Sequence, residues 1–161
     1  MKKIIVIGCP GSGKTTFSKK LAKKTGIPLY HLDAIWHKPD RTHISRDEFD
    51  ARSAQILCQE SWIIDGNYSR TVEARLKCCD TVFLFDLPVS VCLEGAISRL
   101  GVKRCDVPFT DTELDPVFRR QIEDFPTAVL PGIYSLLDKY QNGRQITVFR
   151  SRDEADEFLL K

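Results

Sequence analysis

Eight consecutive residues, Gly8-Cys9-Pro10-Gly11-Ser12-Gly13-Lys14-Thr15, constrain this chain more than any other feature. They fit the pattern G-x-x-x-x-G-K-[ST]. The apolar run Ile4-Ile5-Val6-Ile7 precedes them and a helical pattern follows, so the pattern sits at a strand-to-helix junction. Glycine at positions 8, 11 and 13 permits backbone angles and close approaches closed to a residue with a Cβ. Successive N–H groups can then turn inward at the positive end of the new helix, where phosphate oxygens are held. Lys14 is positioned to reach the β- and γ-phosphates of a nucleoside triphosphate, and the Thr15 hydroxyl to ligate Mg²⁺. The nucleotide site read from this stretch comprises Gly8, Pro10, Gly11, Ser12, Gly13, Lys14, Thr15 and Thr16.

The rest of the chain alternates strand and helix signals without repeat or linker. Phe17 and Leu21 share a helical face, and Gly26 followed by Pro28 stops that helix. A short strand through Pro28-Leu29-Tyr30-His31-Leu32 is expected to end at Asp33. Ser45 and Glu48 form a capping box that opens a helix with Phe49, Ile56 and Leu57 inward. Trp62-Ile63-Ile64 reads as a third strand ending at Asp65-Gly66-Asn67, followed by a short helix carrying Val72 and Leu76. Thr81–Phe85 reads as a buried strand, with Asp86 expected to cap a helix from Pro88 to about Leu100. Residues 101–114 have no periodicity. Asp115-Pro116 opens a helix with Phe118, Ile122 and Phe125 on one side, and helical sequence resumes from Ile133 after Pro131. Gln145–Phe149 is a final strand, and Ser151 with Glu154 caps the last helix.

Five strands alternating with helices predict an α/β fold: a parallel sheet with helices on both faces, three layers in all. Ligands of such sheets bind at the carboxyl ends of the strands. Asp33, Asp65 and Asp86 all fall at strand ends, on the edge that carries the glycine-rich loop. The 161 residues suit one domain over 1–161, and 42% hydrophobic with 29% charged content is ordinary for a soluble globular protein. A net charge of +2 argues against direct nucleic-acid binding, so Lys19, Lys20, Lys23 and Lys24 read as a solvated helix face. Ile4–Ile7 is shorter than the roughly 7–15 apolar residues of an export signal. No stretch approaches a membrane span. The expected address is the cytoplasm. Six cysteines form no C-x-x-C pair, so free thiols are expected, with Cys78-Cys79 open to a redox or soft-metal role. Monomer and dimer both remain open.

Phosphoryl transfer needs a phosphate cradle, a Mg²⁺ site, cations over the transferring group and a group near the acceptor hydroxyl. Asp65 is the candidate acid beside Thr15, the pair forming the metal site, although a strand-end Asp also caps turns. Asp33 is the candidate base toward a substrate hydroxyl, or an orienting group if the acceptor is itself a phosphate. Arg99, Lys103 and Arg104 flank the irregular segment, with Arg119 and Arg120 on the helix after it. Arginines on such a lid, about residues 100–115, can close over ATP and exclude water. Tyr30, His31, Trp36, His37 and Tyr68 fall near the acceptor side.

With these residues in place, the chain resembles the adenylate-kinase-like small P-loop kinases. Asp65-Gly66 and Phe85-Asp86-Leu87-Pro88 carry that likeness. It is similar in more detail to the bacterial DNA topology modulation protein family. The residues are His31-Leu32-Asp33, Lys38-Pro39, Asp65-Gly66-Asn67-Tyr68-Ser69, Arg75 before Cys79-Asp80, and Ser151-Arg152 with Glu154 and Phe158. The resemblance implies a P-loop kinase fold with strand order 2-3-1-4-5, a short lid, ATP and Mg²⁺ as ligands and a small-molecule acceptor such as a nucleotide. It also implies that Arg99 and Arg104 are lid arginines and that Asn67 and Arg75, within an acceptor region of about 33–75, face the substrate. Arg41 and Arg70 depart from the pattern, as does Asp65-Gly66-Asn67-Tyr68-Ser69 where adenylate kinases carry Asp-Gly-Phe-Pro-Arg, which puts AMP as acceptor in doubt. Two further readings stand beside a nucleotide kinase: a kinase for a small non-nucleotide metabolite, and a nucleotide-binding regulator of DNA topology or expression.

Overall fold

Lys3–Gly8 (β1) is apolar on both faces because it lies in the middle of a sheet covered on both sides, with Ile4, Ile5, Val6 and Ile7 sealed from solvent. The computed structural model describes residues 1–161. The other strands are Leu29–His31 (β2), Trp62–Asp65 (β3), Thr81–Phe85 (β4) and Gln145–Phe149 (β5). Their order is β2-β3-β1-β4-β5, and every pairing is parallel. Parallel neighbours require crossovers, supplied by Lys14–Thr25 (α1), Leu32–Trp36 (α2), Arg46–Leu57 (α3), Ser69–Cys78 (α4), Val89–Ile97 (α5), Pro116–Ala128 (α6) and Leu130–Lys139 (α7), and Arg152–Leu160 (α8) follows the last strand. β1 is flanked by β3 on one side and β4 on the other, so connections leave its carboxyl end in opposite directions and open a crevice there. Gly8, His31, Asp65 and Phe85 end their strands along that edge.

The caps follow the sequence. The Ser45 hydroxyl accepts the Glu48 N–H at 3.1 Å and Ser151 that of Glu154 at 3.2 Å. Asp115 accepts from Val117 and Phe118 at 2.8 and 2.9 Å, with Pro116 opening α6. The differences are local. β2 is shorter than expected and turns at once into α2, which buries Leu32; five residues are too few for a helical period to show. Asp33 therefore stands in the first turn of a helix. α5 stops at Ile97, three residues before Leu100, and residues 98–115 hold neither helix nor strand. Asp86 caps nothing, because Leu87 and Pro88 separate it from α5; it accepts the Tyr134 hydroxyl at 2.6 Å and pairs with Arg150. α7 begins at Leu130, since Pro131 is tolerated in a first turn.

Pro126 lies inside α6 and has no N–H to give to the Ile122 carbonyl four residues back. The Cys9 thiol donates to that carbonyl instead, at 3.9 Å, joining α6 to the glycine-rich loop. The sheet face under α1 and α8 is filled by aromatic rings. Phe17 meets Phe83, Phe85 and Phe149 edge-on at centroid distances of 5.0, 5.4 and 5.3 Å, and Phe158 closes the cluster. Edge-to-face pairs add to the burial of the rings themselves. Phe17→Ala is expected to cost about 3–5 kcal/mol and to lower the unfolding temperature by roughly 10 °C or more, read by calorimetry.

Candidate active site

The glycine-rich loop takes its shape from contacts that leave no room for side chains. Gly8, Gly11 and Gly13 have φ of 141°, 82° and 107°. A Cβ on Gly8 would lie 2.2 Å from the Phe85 carbonyl oxygen, and one on Gly11 2.0 Å from that of Cys92. Gly95 on α5 is bound by the same constraint, its Cβ position falling 2.0 Å from the Gly11 oxygen. Two side chains then fix the loop from opposite ends. Asn67 accepts from Gly8 N at 2.9 Å and donates to Gly8 O at 2.7 Å. Arg152, at the start of α8, donates to the carbonyls of Gly11 and Val91, each at 3.0 Å, and of Ser12 at 3.4 Å. Three loop N–H groups are also tied down, that of Gly8 to Asn67 Oδ1 at 2.9 Å, that of Cys9 to the Phe85 carbonyl at 3.4 Å and that of Ser12 to the Cys9 carbonyl at 3.3 Å.

Asn67 is itself held by a buried cation. Arg75, 1% exposed, donates to the carbonyls of Gly66 at 2.8 Å and of Asn67, with Tyr68 O at 3.5 Å. Those residues form a strained turn in which Tyr68 has a φ of 43°. Burial pushes the Arg75 guanidinium down to about 9. Arg75 and Asn67 were expected to face an acceptor, and the geometry corrects both. Arg75 is spent on backbone oxygens behind the turn, and Asn67 is spent on Gly8. What they deliver to the cleft is Tyr68, whose hydroxyl donates to Asp33 at 2.8 Å.

The charged groups converge at the end of β3. The Thr15 hydroxyl donates to Asp65 Oδ2 at 2.8 Å, and His31 Nδ1 pairs with the same oxygen at 2.9 Å. Lys14 is buried with its ammonium on the Cys9 carbonyl at 2.8 Å; burial lowers its pKa, and Asp65 opposes that shift. Burial raises the Asp33 carboxyl, Tyr68 pulls it down, and the Asp65 charge pushes it further up. Arg99 is lowered by burial and then by the like charge of Arg104. Burial also acts to lower Arg104, but its bonds to Asp106 and the neighbouring carboxylates hold it above the ordinary arginine value. Arg104 binds Asp106 of the irregular segment at 3.0 and 2.5 Å, and Asp106 Oδ2 lies 3.4 Å from Thr15 Oγ1.

A cleft of about 530 Å³ connects Gly11, Gly13, Thr15 and Thr16 with Arg99, Lys103, Arg104 and Arg152. Pro10 lies outside its lining, and Thr16 is exposed at its mouth. The Ser12 hydroxyl is fully buried without a hydrogen-bond partner, and Ser12 does not line the cleft. The donor set of Thr15 and Asp65, hard oxygens beside a phosphate loop, fits Mg²⁺ and its nucleotide. On the acceptor side, Trp36 stacks on His43 at 4.2 Å and stands edge-on to Phe49 and Tyr68. Arg41 reaches across to the 98–115 segment, donating to Asp111 and to Thr110 O at 2.8 Å each. Arg119 pairs with Glu123 on its own helix, and Arg120 is exposed. The cysteines form no disulfide, and no cluster of metal-ligating side chains includes Cys78-Cys79.

No family model matches the chain. It is 26% identical to the adenylate kinase of Thermotoga neapolitana over a 149-residue alignment that covers 72% of this chain and 66% of that protein. The chain thus spans just under two thirds of the length of the curated relative. Among solved structures it is similar to the shikimate kinase of Acinetobacter baumannii in complex with shikimate, at a TM-score of 0.59 and 16% identity over 99% of this chain and 91% of that one. A shikimate kinase from Bacteroides thetaiotaomicron gives 0.58 and 14%, over 98% and 93%. The fold is that of the small P-loop kinases. No helix is long and apolar enough to cross a membrane.

The sequence reading gave His31 only a place near the acceptor side and gave Arg152 and Asp106 no role. His31 lacked metal-ligand spacing, yet the end of β2 lies against the end of β3 and brings it to Asp65. Arg152 is the one arginine beside the last helix cap that turns inward, which spacing does not reveal. Asp106 stands two residues after Arg104, a short-range pair that was there to be read. Arg75→Ala strands backbone carbonyls under a strained turn and is expected to destabilise by about 3 kcal/mol. Arg75→Lys, lacking the planar fork, rescues little of this in thermal unfolding. A group that faced substrate would leave the unfolding temperature in place.

Proposed function

We propose that the chain is an ATP- and Mg²⁺-dependent phosphotransferase acting on a small acceptor. The observation that carries this reading is the meeting of Lys14, Thr15, Asp65 and Arg99 with Asp33 at one edge of a P-loop-kinase sheet. Loop N–H groups at the start of α1 cradle the phosphates, with Gly8, Gly11 and Gly13 supplying the close approach. Lys14, whose ammonium rests on the Cys9 carbonyl, supplies the cation for the β- and γ-phosphates. Thr15 and Asp65 hold Mg²⁺, which neutralises charge on the phosphates when bound. Residues 98–115 act as the lid, bringing Arg99 and Arg104 over the transferring group and keeping water out.

Asp33 supports a hydroxyl acceptor in particular. A phosphate acceptor needs no base, whereas Asp33 is a buried carboxylate with a raised pKa, oriented by the Tyr68 hydroxyl. Among the arginines of the acceptor region, Arg41 pairs with Asp111, Arg52 with Glu48, Arg70 with Asp50 and Arg75 with backbone, while Arg46 is unpaired and lines a small cavity with Trp36, Phe49 and Tyr68. The adenylate kinase and shikimate kinase likenesses support the kinase class and leave the acceptor open. The narrower likeness to the DNA topology modulation family rests on the quoted motifs alone. A cytoplasmic address goes with this reading.

Acceptor-dependent ADP formation across nucleosides, nucleotides and sugar acids is the direct test. Lys14→Ala is expected to lower turnover by roughly 10²–10³ without unfolding the protein. Full activity in a folded Lys14→Ala protein ends the reading. The pH profile tests Asp33 separately. A base must be ionised, so kcat/KM rises with pH through a midpoint above the ordinary aspartate value of about 3.9. Asp33→Asn abolishes that acid limb along with most of the rate; a limb that survives in Asp33→Asn assigns it to another group.

A further inference from the structure

Asp106 is 4% exposed, although it belongs to a segment with no helix or strand to carry it inward. Carboxylates on irregular segments normally stay in water unless paired. Arg104 does the pairing through two N–H groups, Nε to Oδ1 and Nη2 to Oδ2. Burial pushes the Asp106 carboxyl up, and the Arg104 bonds and charge hold it below the ordinary carboxylate range. Asp106 Oδ2 also lies 3.4 Å from the Thr15 hydroxyl oxygen. That hydroxyl has one proton, and Asp65 Oδ2 at 2.8 Å is the nearer acceptor. Two ionised side chains thus face one oxygen with a single proton between them. Such carboxylates repel unless a cation stands among them. The neighbouring Cys105 keeps the segment over this point, its thiol 3.9 Å from His31 Nε2, while His31 Nδ1 binds Asp65.

We propose that Asp106 is a lid-borne anchor for the Mg²⁺ of the bound nucleotide, exchanging its bond to Arg104 for the cation held at Thr15 and Asp65. The exchange conserves charge pairing. Asp106 leaves a guanidinium for a divalent cation, and Arg104 leaves a carboxylate for the phosphates. Arg104 is thereby withheld from metal-free nucleotide and released by the metal complex, so the lid discriminates between the two. The inference rests on the Mg²⁺–nucleotide of the phosphotransferase reading but not on any acceptor or turnover.

Binding of the β,γ-imido analogue of ATP, measured by calorimetry in Mg²⁺ and in EDTA, separates the possibilities. Asp106→Asn is expected to weaken binding in Mg²⁺ by about 10–100-fold. In EDTA the same variant binds the analogue at least as tightly as the wild type, because Arg104 is free and a negative charge is gone. Mn²⁺ affinity in the presence of the analogue, followed by electron paramagnetic resonance, falls in parallel. Equal weakening with and without metal would make Asp106 a structural residue and overturn the proposal, as would an unchanged response to Mg²⁺. Arg104→Ala gives an independent reading if Asp106→Asn fails to fold. It weakens binding overall yet keeps or enlarges the ratio of Mg²⁺ to metal-free affinity, and collapse of that ratio also refutes the proposal. Metal-enhanced binding without turnover on any acceptor would end the phosphotransferase reading and leave the role of Asp106 standing.

Discussion

The glycine-rich loop lies closer to its neighbours than any side chain would allow, and the rest of the molecule depends on that approach. Phe85 of β4 and Cys92 of α5 press their carbonyls against Gly8 and Gly11, at positions where a Cβ would stand 2.2 and 2.0 Å away. Backbone packed against backbone fixes where β1 ends and where α1 begins. Because β1 is the central strand, its end is also the place where β3 and β4 present their own ends. The site is a consequence of that coincidence. One strand end supplies the loop, a second supplies Asp65, and β2 beyond it supplies His31, with Asp33 following in the first turn of α2.

A second layer of contacts converts this approach into a rigid cradle, and most of it consists of side chains bonded to backbone. Asn67 closes on both polar atoms of Gly8, and Arg152 on the carbonyls of Gly11 and Ser12. Arg75 neutralises the carbonyls of the turn that carries Asn67 and Tyr68. The Arg75 and Asn67 bonds are shielded from solvent, so they hold geometry more firmly than the exposed ion pairs on the surface, where solvent screens the charges. The half-exposed Arg41–Asp111 and Arg70–Asp50 pairs belong to that weaker class and can rearrange when a ligand arrives. Rigidity is thus concentrated at the phosphate loop and freedom at the segment above it. That division suits a site that must stay organised while its cover moves.

Much of this was legible in advance, and particular residues show why. The glycine spacing and the flanking apolar run identify the loop because each fixed position answers a local steric or electrostatic demand. Ser45, Asp115 and Ser151 cap helices through partners two or three residues away, within reach of a pattern read along the chain. Asp86 shows the limit: a strand-end aspartate before a proline reads as a cap, and the structure sends it to Tyr134 and Arg150, 48 and 64 residues distant. Arg75 shows it again. Nothing local distinguishes an arginine that meets a ligand from one that turns back onto its own chain.

The sequence by itself determined the α/β alternation and the glycine-rich loop between β1 and α1, because these follow from periodicity, backbone sterics and spacing within a few residues. Tertiary structure alone decided that His31 and Asp106 join Asp65 and Thr15, that Arg152 braces the loop, and that Arg75 and Asn67 serve the backbone. Those assignments depend on which strand ends lie side by side and on which way a long side chain turns once buried. A chain read in one dimension carries the inventory of charges. Only the folded sheet fixes the distances between them, and with them the strength of each interaction.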